Sequence, residues 1–333
     1  MEHSFVDYGL SAGIPITYVD VGLKETHPIL SLQDIVQTLD KNDKLDILLQ
    51  GNGPVQYKAF WEKWQELQPK HPIFSSDFHK GLEGSCIPIM IHCDEGTTFK
   101  KKAIMVIQVQ PFLGRGTRKR KSSSEEFGCN MIGHSMTNRI LWSVMLARVY
   151  SGKKHKNRPL KKWIAQLSVQ LSSAFNTGIE VANGERMLFL VPICLKGDWP
   201  ALAKVGGLSR HFGRQVTADS SNGAGICHLC QADRPGFENW HDLTPANMEK
   251  MHDNCPLPWA VEPDLVAAIP LPPEYKPDWF RIDIFHTLHK GFMGDMAANA
   301  IVFLICFSKV FVFPPYFAKG KSHACMYILY MLP

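Results

Sequence analysis

The chain has 333 residues, of which 45% are hydrophobic and 20% charged, a composition typical of a globular protein with a sizeable core. This length suits one large domain or two ordinary ones, and it excludes a peptide hormone, a small disulfide-rich protein, a coiled-coil rod and a collagen. The net charge of +5 is too small to indicate a partner by itself.

The basic residues are concentrated in one stretch of the chain. Residues 100–162 contain 16 Lys and Arg against two acids, a net charge of +14, so the rest of the chain carries −9. Such a stretch on an otherwise acidic chain favours a polyanionic partner. A solvated basic loop is the alternative. The predicted phosphate contacts are Lys100, Lys101, Lys102, Arg118, Lys119, Arg120, Lys121, Lys153, Lys154 and Lys156.

The cysteines and the N-terminus indicate a reducing, intracellular compartment. The nine cysteines are an odd number and are scattered, and residues 1–5 lack both the charged start and the apolar run of a secretory signal. The basic cluster at 118–121 is typical of a nuclear localisation signal, so we expect a nuclear protein. The longest apolar run, 300–313, contains Lys309 and ends at two prolines, so no membrane span is expected.

Residues 1–80 are predicted to form a mostly helical N-terminal region. Ser31 can cap a helix whose apolar residues recur every three or four positions from Leu32 to Leu39. A second helix is predicted over 57–67, where aromatic residues share one face.

Residues 81–303 are predicted to form the main domain. Apolar runs at 87–93 and 103–109 predict two strands, and the intervening residues 94–98 predict a turn. Residues 111–137 are predicted to be a basic loop. Residues 140–150 fit either a third strand or a short helix.

The second half of this domain begins with a helix predicted over 160–175, because its apolar residues fall on one stripe between Pro159 and Gly178. A strand over 187–195 follows. Residues 220–278 form a polar insertion with Cys and His residues. The apolar tail 304–333 belongs to a stretch without Asp, Glu or Arg, and we interpret it as a truncation or gene-model artefact.

Three acids form the candidate catalytic set: Asp94, Asp198 and Asp283. The order strand, strand, strand, helix, strand, with acids after the first and fourth strands, is that of an RNase H-like fold, in which those two strands lie side by side. Converging carboxylates suit Mg²⁺ or Mn²⁺. His286, three residues after Asp283, could orient that acid or bind the metal. Glu95 and Asp295 are alternative candidates for the catalytic acids. A further alternative is that each Asp only ends a strand and has no catalytic role.

The insertion carries a candidate zinc set. Cys227 and Cys230 are spaced as in a zinc knuckle, and His252 and Cys255 supply a second pair of ligands. His228 or His241 could replace His252, and the first Cys pair also fits a redox motif. We expect a structural Zn²⁺ that orders a weakly patterned segment.

Several motifs are absent from the sequence. There is no P-loop, no Gly-rich dinucleotide turn, no nucleophile elbow and no His-Glu-x-x-His. No small-molecule cofactor is therefore expected. An oligomer is compatible with the sequence but is not indicated by it.

Three blocks of sequence carry a resemblance to a known family: residues 91–96, residues 195–199 with the following 227–230, and Asp283 with His286 and Gly291. Over about residues 30–303 the chain resembles transposase-like open reading frames of algal and other protist genomes. These are distantly similar to DNA transposases of the CACTA and Plavaka type.

The resemblance implies an α/β (α+β) fold, with an RNase H-like mixed sheet flanked by helices, a helical N-terminal region and a zinc-knuckle insertion. It implies metal-dependent cleavage or strand transfer of DNA, with Asp94 as first acid, Asp198 as second and Asp283 as third. Residues 92–95 depart from the Gly-Asp-Gly type of turn expected around the first acid. The alternatives are a catalytically inactive, domesticated or decayed protein that binds zinc and nucleic acid, and a fragment without present function.

Overall fold

A computed structural model describes residues 13–77, 79–97, 102–117, 126–131, 139–151, 157–210, 225–259, 261–282, 293–294 and 296–300. Residues up to Arg281 belong to one compact unit, and residues from Ile282 onward belong to another. In the second unit, residues 293–294 and 296–300 are helical. The tail 304–333 lies outside the described residues.

The N-terminal region contains the predicted helices, preceded by a small hairpin. Its elements are β1 (Thr17–Val19), β2 (His27–Ile29), α1 (Leu32–Lys41), α2 (Asp46–Leu49) and α3 (Pro54–Leu67). Ser31 caps α1 as predicted, because its hydroxyl accepts a hydrogen bond of 3.0 Å from the Asp34 amide. The Trp61 indole on α3 donates to the Cys86 carbonyl at 2.8 Å, so this region shares its core with the sheet.

The central feature is a mixed sheet of six strands. Its members are β3 (Cys86–Thr97), β4 (Ala103–Pro111), β7 (Ile140–Leu146), β8 (Ile179–Val181), β9 (Arg186–Gly197) and β10 (Phe280–Ile282), while β5 (Leu113–Gly114) and β6 (Gly128–Cys129) form a separate pair. The strand order is β10-β9-β3-β4-β7, with β8 paired to β9. β4 is antiparallel to β3 and to β7, whereas β9 is parallel to β3. The predicted mixed α+β architecture is confirmed.

The turn predicted at residues 94–98 is wrong. β3 continues through Thr97, and its ladder with β4 pairs Asp94 with Val106 and Thr97 with Ala103. Cross-strand pairing outweighs the local turn preference of the Asp-Glu-Gly sequence. Asp94 therefore lies within a strand and not at its end.

Helices α4 (Ala147–Tyr150), α5 (Arg158–Asn176) and α6 (Trp199–Val205) pack on the sheet, and α7 (Pro245–His252) and α8 (Asp264–Ala267) follow in the chain. The segment 140–150 is thus strand β7 followed by helix α4. The apolar stripe predicted for α5, from Leu160 to Phe175, is buried against the sheet. No helix in the described ranges is both long enough and apolar enough to cross a membrane.

Low pH should destabilise this fold, because the buried imidazole of His71 resists protonation. The imidazole is 1% exposed, its Nδ1 accepts from the Ile73 amide at 3.2 Å, and burial lowers its pKa to about 3. The unfolded chain, with a His pKa of about 6.5, binds the proton first as the pH falls. The contribution of His71 to stability is therefore complete above pH 6.5 and is lost toward pH 3.

Urea unfolding at pH 7 and at pH 4.5 measures this effect. We expect His71 to account for about 2 kcal/mol of the stability lost between these two pH values. His71→Asn keeps an acceptor for the Ile73 amide but cannot be protonated, so its loss should be smaller by that amount. An equal loss in both proteins would contradict the assignment.

Candidate functional site

The parallel pairing of β3 and β9 brings two of the predicted acids together. Its register matches His92 with Lys196 and Cys93 with Gly197, so Asp94 and Asp198 are the next residues on the two neighbouring chains. Both acids are half-buried. The two strands approach each other so closely here that a Cβ on Gly197 would collide with the Cys93 carbonyl oxygen. The predicted proximity of these two positions is present in the structure.

Both acids act electrostatically on the buried thiol of Cys93. Burial raises the pKa of Cys93 strongly, and the carboxylates of Asp198 and Asp94 raise it further. Both carboxylates therefore act on the same buried sulfur atom. In the strand itself, side chains alternate between faces, so Asp94 shares its face with His92, while Cys93 is on the other face.

Asp198 also has a structural role. It is the N-cap residue of α6, and its Oδ1 accepts a hydrogen bond of 2.8 Å from the Ala201 amide. This bond fixes the carboxylate at the end of β9. The carboxylate keeps a second oxygen that this cap bond does not use.

Glu95 is held in an ion pair on the opposite face from Asp94. Lys204 on α6 donates to both carboxylate oxygens at 2.6 Å, and the Tyr150 hydroxyl donates to Oε1 at 2.7 Å. Burial, followed by this hydrogen bond and the Glu95 charge, raises the pKa of Tyr150. Sequence reasoning missed both partners, because they lie 55 and 109 residues from Glu95 and carry no local signal.

The donor type at the two acids fits Mg²⁺ or Mn²⁺, because both ions prefer carboxylate oxygens. The described residues supply Asp94 and Asp198, whereas Asp283, His286 and Asp295 lie outside them. Within the described part of the chain, no group of three or more His, Cys, Asp or Glu side chains could hold a metal ion. A complete catalytic metal site stays a prediction.

The cysteines of the insertion surround a buried arginine. Cys227 and Cys230 are buried in a small cluster with Ala232 and Met251. Arg210 is 3% exposed; its Nε donates to the Cys227 carbonyl at 2.6 Å, and its Nη2 donates to Cys255 Sγ at 3.1 Å and to the Pro256 carbonyl. This arginine was not among the predicted residues.

The candidate histidine ligands differ in their burial and contacts. His252 and His241 are exposed. His228 is buried, its Nε2 lies 3.3 Å from the Phe280 carbonyl, and its ring contacts Trp199 at 5.1 Å between centroids. Burial lowers the pKa of His228 to about 4. The described residues contain no group of three or more His, Cys, Asp or Glu side chains that could hold a metal ion, and zinc binding stays a prediction.

A hydrogen bond between the thiols of Cys227 and Cys230 couples their ionisation. The hydrogen bond from Cys230 is the main cause that lowers the pKa of Cys227 to about 6, with backbone N–H groups and Arg210 adding to it. The same hydrogen bond, together with burial, raises the pKa of Cys230. The arrangement favours one thiolate stabilised by a neighbouring thiol.

One of the ten predicted phosphate contacts is described. Lys102 is exposed and directly precedes β4. The other nine lie outside the described residues: Lys100, Lys101, Arg118, Lys119, Arg120, Lys121, Lys153, Lys154 and Lys156.

Comparison with known proteins yields no relative. No family model matches the chain, and no curated protein and no solved structure matches it.

The close approach at Gly197 can be tested by adding a methyl group. Gly197→Ala should lower the free energy of unfolding by about 2 kcal/mol or more, because its Cβ cannot fit against the Cys93 carbonyl oxygen. Gly96→Ala is the matched control, since a Cβ there meets nothing within 4 Å. Urea unfolding measures both variants, and equal stabilities would contradict the tight pairing of β3 with β9.

Proposed function

We propose that this chain is an RNase H-like, transposase-related protein that cleaves phosphodiester bonds in DNA with a divalent metal. The observation that supports this proposal is the parallel pairing of β3 with β9, which makes Asp94 and Asp198 the residues that directly follow the paired Cys93 and Gly197. β3 and β9 are the first and fourth strands of the predicted core, the two that are neighbours in an RNase H-like sheet.

The chain's own residues would position the reaction. Asp94 and Asp198 would hold the metal, and the cap bond from the Ala201 amide keeps the Asp198 carboxylate in place. Lys196, in register with His92, adds a cation to the face that carries Asp94, where a phosphate would approach. When bound, Mg²⁺ or Mn²⁺ supplies an activated water or hydroxyl and stabilises the leaving oxygen. The basic stretch 100–162 would neutralise the phosphates of the bound DNA.

Asp94→Asn and Asp198→Asn test the catalytic proposal. Both changes remove a negative charge with little change of shape, and Asn is also a good N-cap residue, so α6 should persist in Asp198→Asn. We expect Mg²⁺- or Mn²⁺-dependent DNA cleavage by the full chain to fall by about 100-fold or more in each variant.

The exposed Asp253 gives the matched control. Asp253→Asn removes one carboxylate far along the chain from both acids and should cleave like the wild type. Circular dichroism verifies that each variant is folded. Cleavage that is equal in the wild type, Asp94→Asn and Asp198→Asn would overturn the assignment of these acids.

A second function is a catalytically inactive protein that retains nucleic-acid binding, of decayed or domesticated transposon origin. The observation that favours it is the capping bond of Asp198, which gives this acid a structural reason to be present without any metal. A nuclear location through residues 118–121 belongs to both proposals.

DNA binding should be salt-sensitive under either proposal. We expect the affinity for a DNA duplex to fall about tenfold or more between 50 and 200 mM salt, because bound lysines and arginines release counterions. Replacing Lys119 and Arg120 by Ala should weaken binding and flatten this dependence, whereas Lys58→Ala, outside the basic stretch, should not. Fluorescence anisotropy measures the affinities. A salt-independent affinity would contradict DNA as the partner.

A further inference from the structure

One cavity of the described structure contains none of the predicted acids or cysteines. It has a volume of about 280 Å³ and lies between the start of α5, the end of α6 and the segment that leads into α8. Ligand pockets in proteins usually measure about 300–1,000 Å³. A cavity at the lower end of this range suits a small molecule better than a nucleotide or a segment of DNA.

The cavity has an apolar floor and an apolar side chain at its mouth. Leu160, Ile164 and Val205 line it and are buried members of the protein core. Val261 also lines it, yet this side chain is 84% exposed, the highest value for a large apolar residue in the described ranges. An apolar group that enters the cavity would cover Val261 and remove its surface from water. The ligand is therefore expected to have an apolar part.

Two of the four charged residues that line the cavity are already neutralised. Lys204 donates to both carboxylate oxygens of Glu95 at 2.6 Å. The carboxylate of Glu262 accepts from the buried Lys276 ammonium at 2.7 Å. Because each of these charges has a partner of opposite sign, the two pairs together give the cavity no net charge.

The two remaining charges have opposite signs. Lys161 on α5 and Asp264, the first residue of α8, form no ion pair with any residue in the described part of the chain. The Lys204 ammonium has three N–H donors, and its bonds to Glu95 use two of them. A ligand with one carboxylate and one ammonium group complements this arrangement, whereas a simple anion or cation leaves one protein charge unmatched.

Contacts on each side of the cavity hold its walls in place. Gly207, just after α6, lies so close to Pro263 that a Cβ on the glycine would be 2.8 Å from the proline ring. The amide and the hydroxyl of Ser209 both donate to the Pro258 carbonyl, at 2.7 and 2.8 Å. Leu265 anchors α8 in the protein core. Because the walls are already ordered, a ligand loses little binding free energy to ordering them.

We propose that this cavity binds a free amino acid with an apolar side chain. The carboxylate of the ligand bonds to Lys161 and to the third donor of Lys204, and its ammonium group bonds to Asp264. Its side chain lies on the apolar floor and covers Val261. This inference is independent of the proposed function, because no residue that lines the cavity is a predicted metal ligand or phosphate contact.

Isothermal titration calorimetry of the full chain with L-leucine and three related molecules tests this proposal. N-acetyl-L-leucine lacks the ammonium group, L-leucinamide lacks the carboxylate, and L-serine lacks the apolar side chain. We expect L-leucine to bind with a Kd below about 1 mM and at least about tenfold more tightly than each of the three.

Four outcomes would overturn the proposal. Equal binding of N-acetyl-L-leucine would establish a site for anions, and equal binding of L-leucinamide would establish a site for the N-terminus of a peptide. Equal binding of L-serine would show that the apolar floor plays no part. The fourth outcome is the absence of saturable binding for L-leucine, L-methionine and L-phenylalanine alike.

Variants of the lining residues locate the site. Lys161→Gln and Asp264→Asn each remove one charge that faces the ligand and should weaken the binding of L-leucine at least about tenfold. Lys162→Gln is the matched control, because this neighbouring lysine pairs with Asp20, does not line the cavity and should leave the affinity unchanged. Val261→Ala changes an exposed side chain, so the protein should stay folded, and it should weaken binding by about threefold.

Circular dichroism verifies that each variant is folded. If a charge variant does not fold, Val261→Ala still tests the site. Binding of L-leucine to Val261→Ala with the affinity of the wild type, or to folded Lys161→Gln and Asp264→Asn with that affinity, would overturn the assignment of the cavity.

Discussion

The parallel pairing of β3 with β9 is the constraint on which the rest of the structure depends. β3 is hydrogen-bonded on both sides, antiparallel to β4 and parallel to β9, and it is buried along most of its length. A parallel neighbour requires a crossover connection, which α5 supplies between β7 and β9. Because parallel strands end at the same edge, this pairing also decides which polar groups meet there.

Two adjacent acids at that edge have different surroundings for a geometric reason. Successive side chains of a strand point to opposite faces, so Asp94 and Glu95 belong to different sides of the sheet. Lys204 forms a short ion pair with Glu95, and the Tyr150 hydroxyl donates a hydrogen bond to the same carboxylate. Asp94 follows Cys93 on β3, and Asp198 follows Gly197, the partner of Cys93, on the neighbouring chain. The alternation therefore gives two consecutive acids different surroundings.

The insertion is ordered by polar bonds more than by apolar burial. Its apolar cluster is small, with Cys227, Cys230, Ala232 and Met251 as the buried members. A single guanidinium connects segments that are far apart in sequence, because Arg210 bonds to backbone and sulfur acceptors 17 to 46 residues away. Polar bonds to one buried charge thus supply order that apolar burial alone cannot provide.

By itself the sequence determined the elements whose signals are local. The cap at Ser31, the apolar stripe of α5 between Pro159 and Gly178, and the apolar runs of β3, β4 and β9 are readable because each depends on neighbours within a few residues. The order of these elements also indicated that Asp94 and Asp198 would lie on neighbouring strands.

Only the tertiary structure decided the contacts that join distant segments. β3 continues past Asp94 because β4 pairs with it, against the turn preference of the local sequence. The partners of Glu95 and the position of Arg210 among the thiols depend on separations of 45 to 109 residues. Such contacts are set by sheet order and helix packing, whose energies are shared over the whole core, so no short stretch of sequence encodes them.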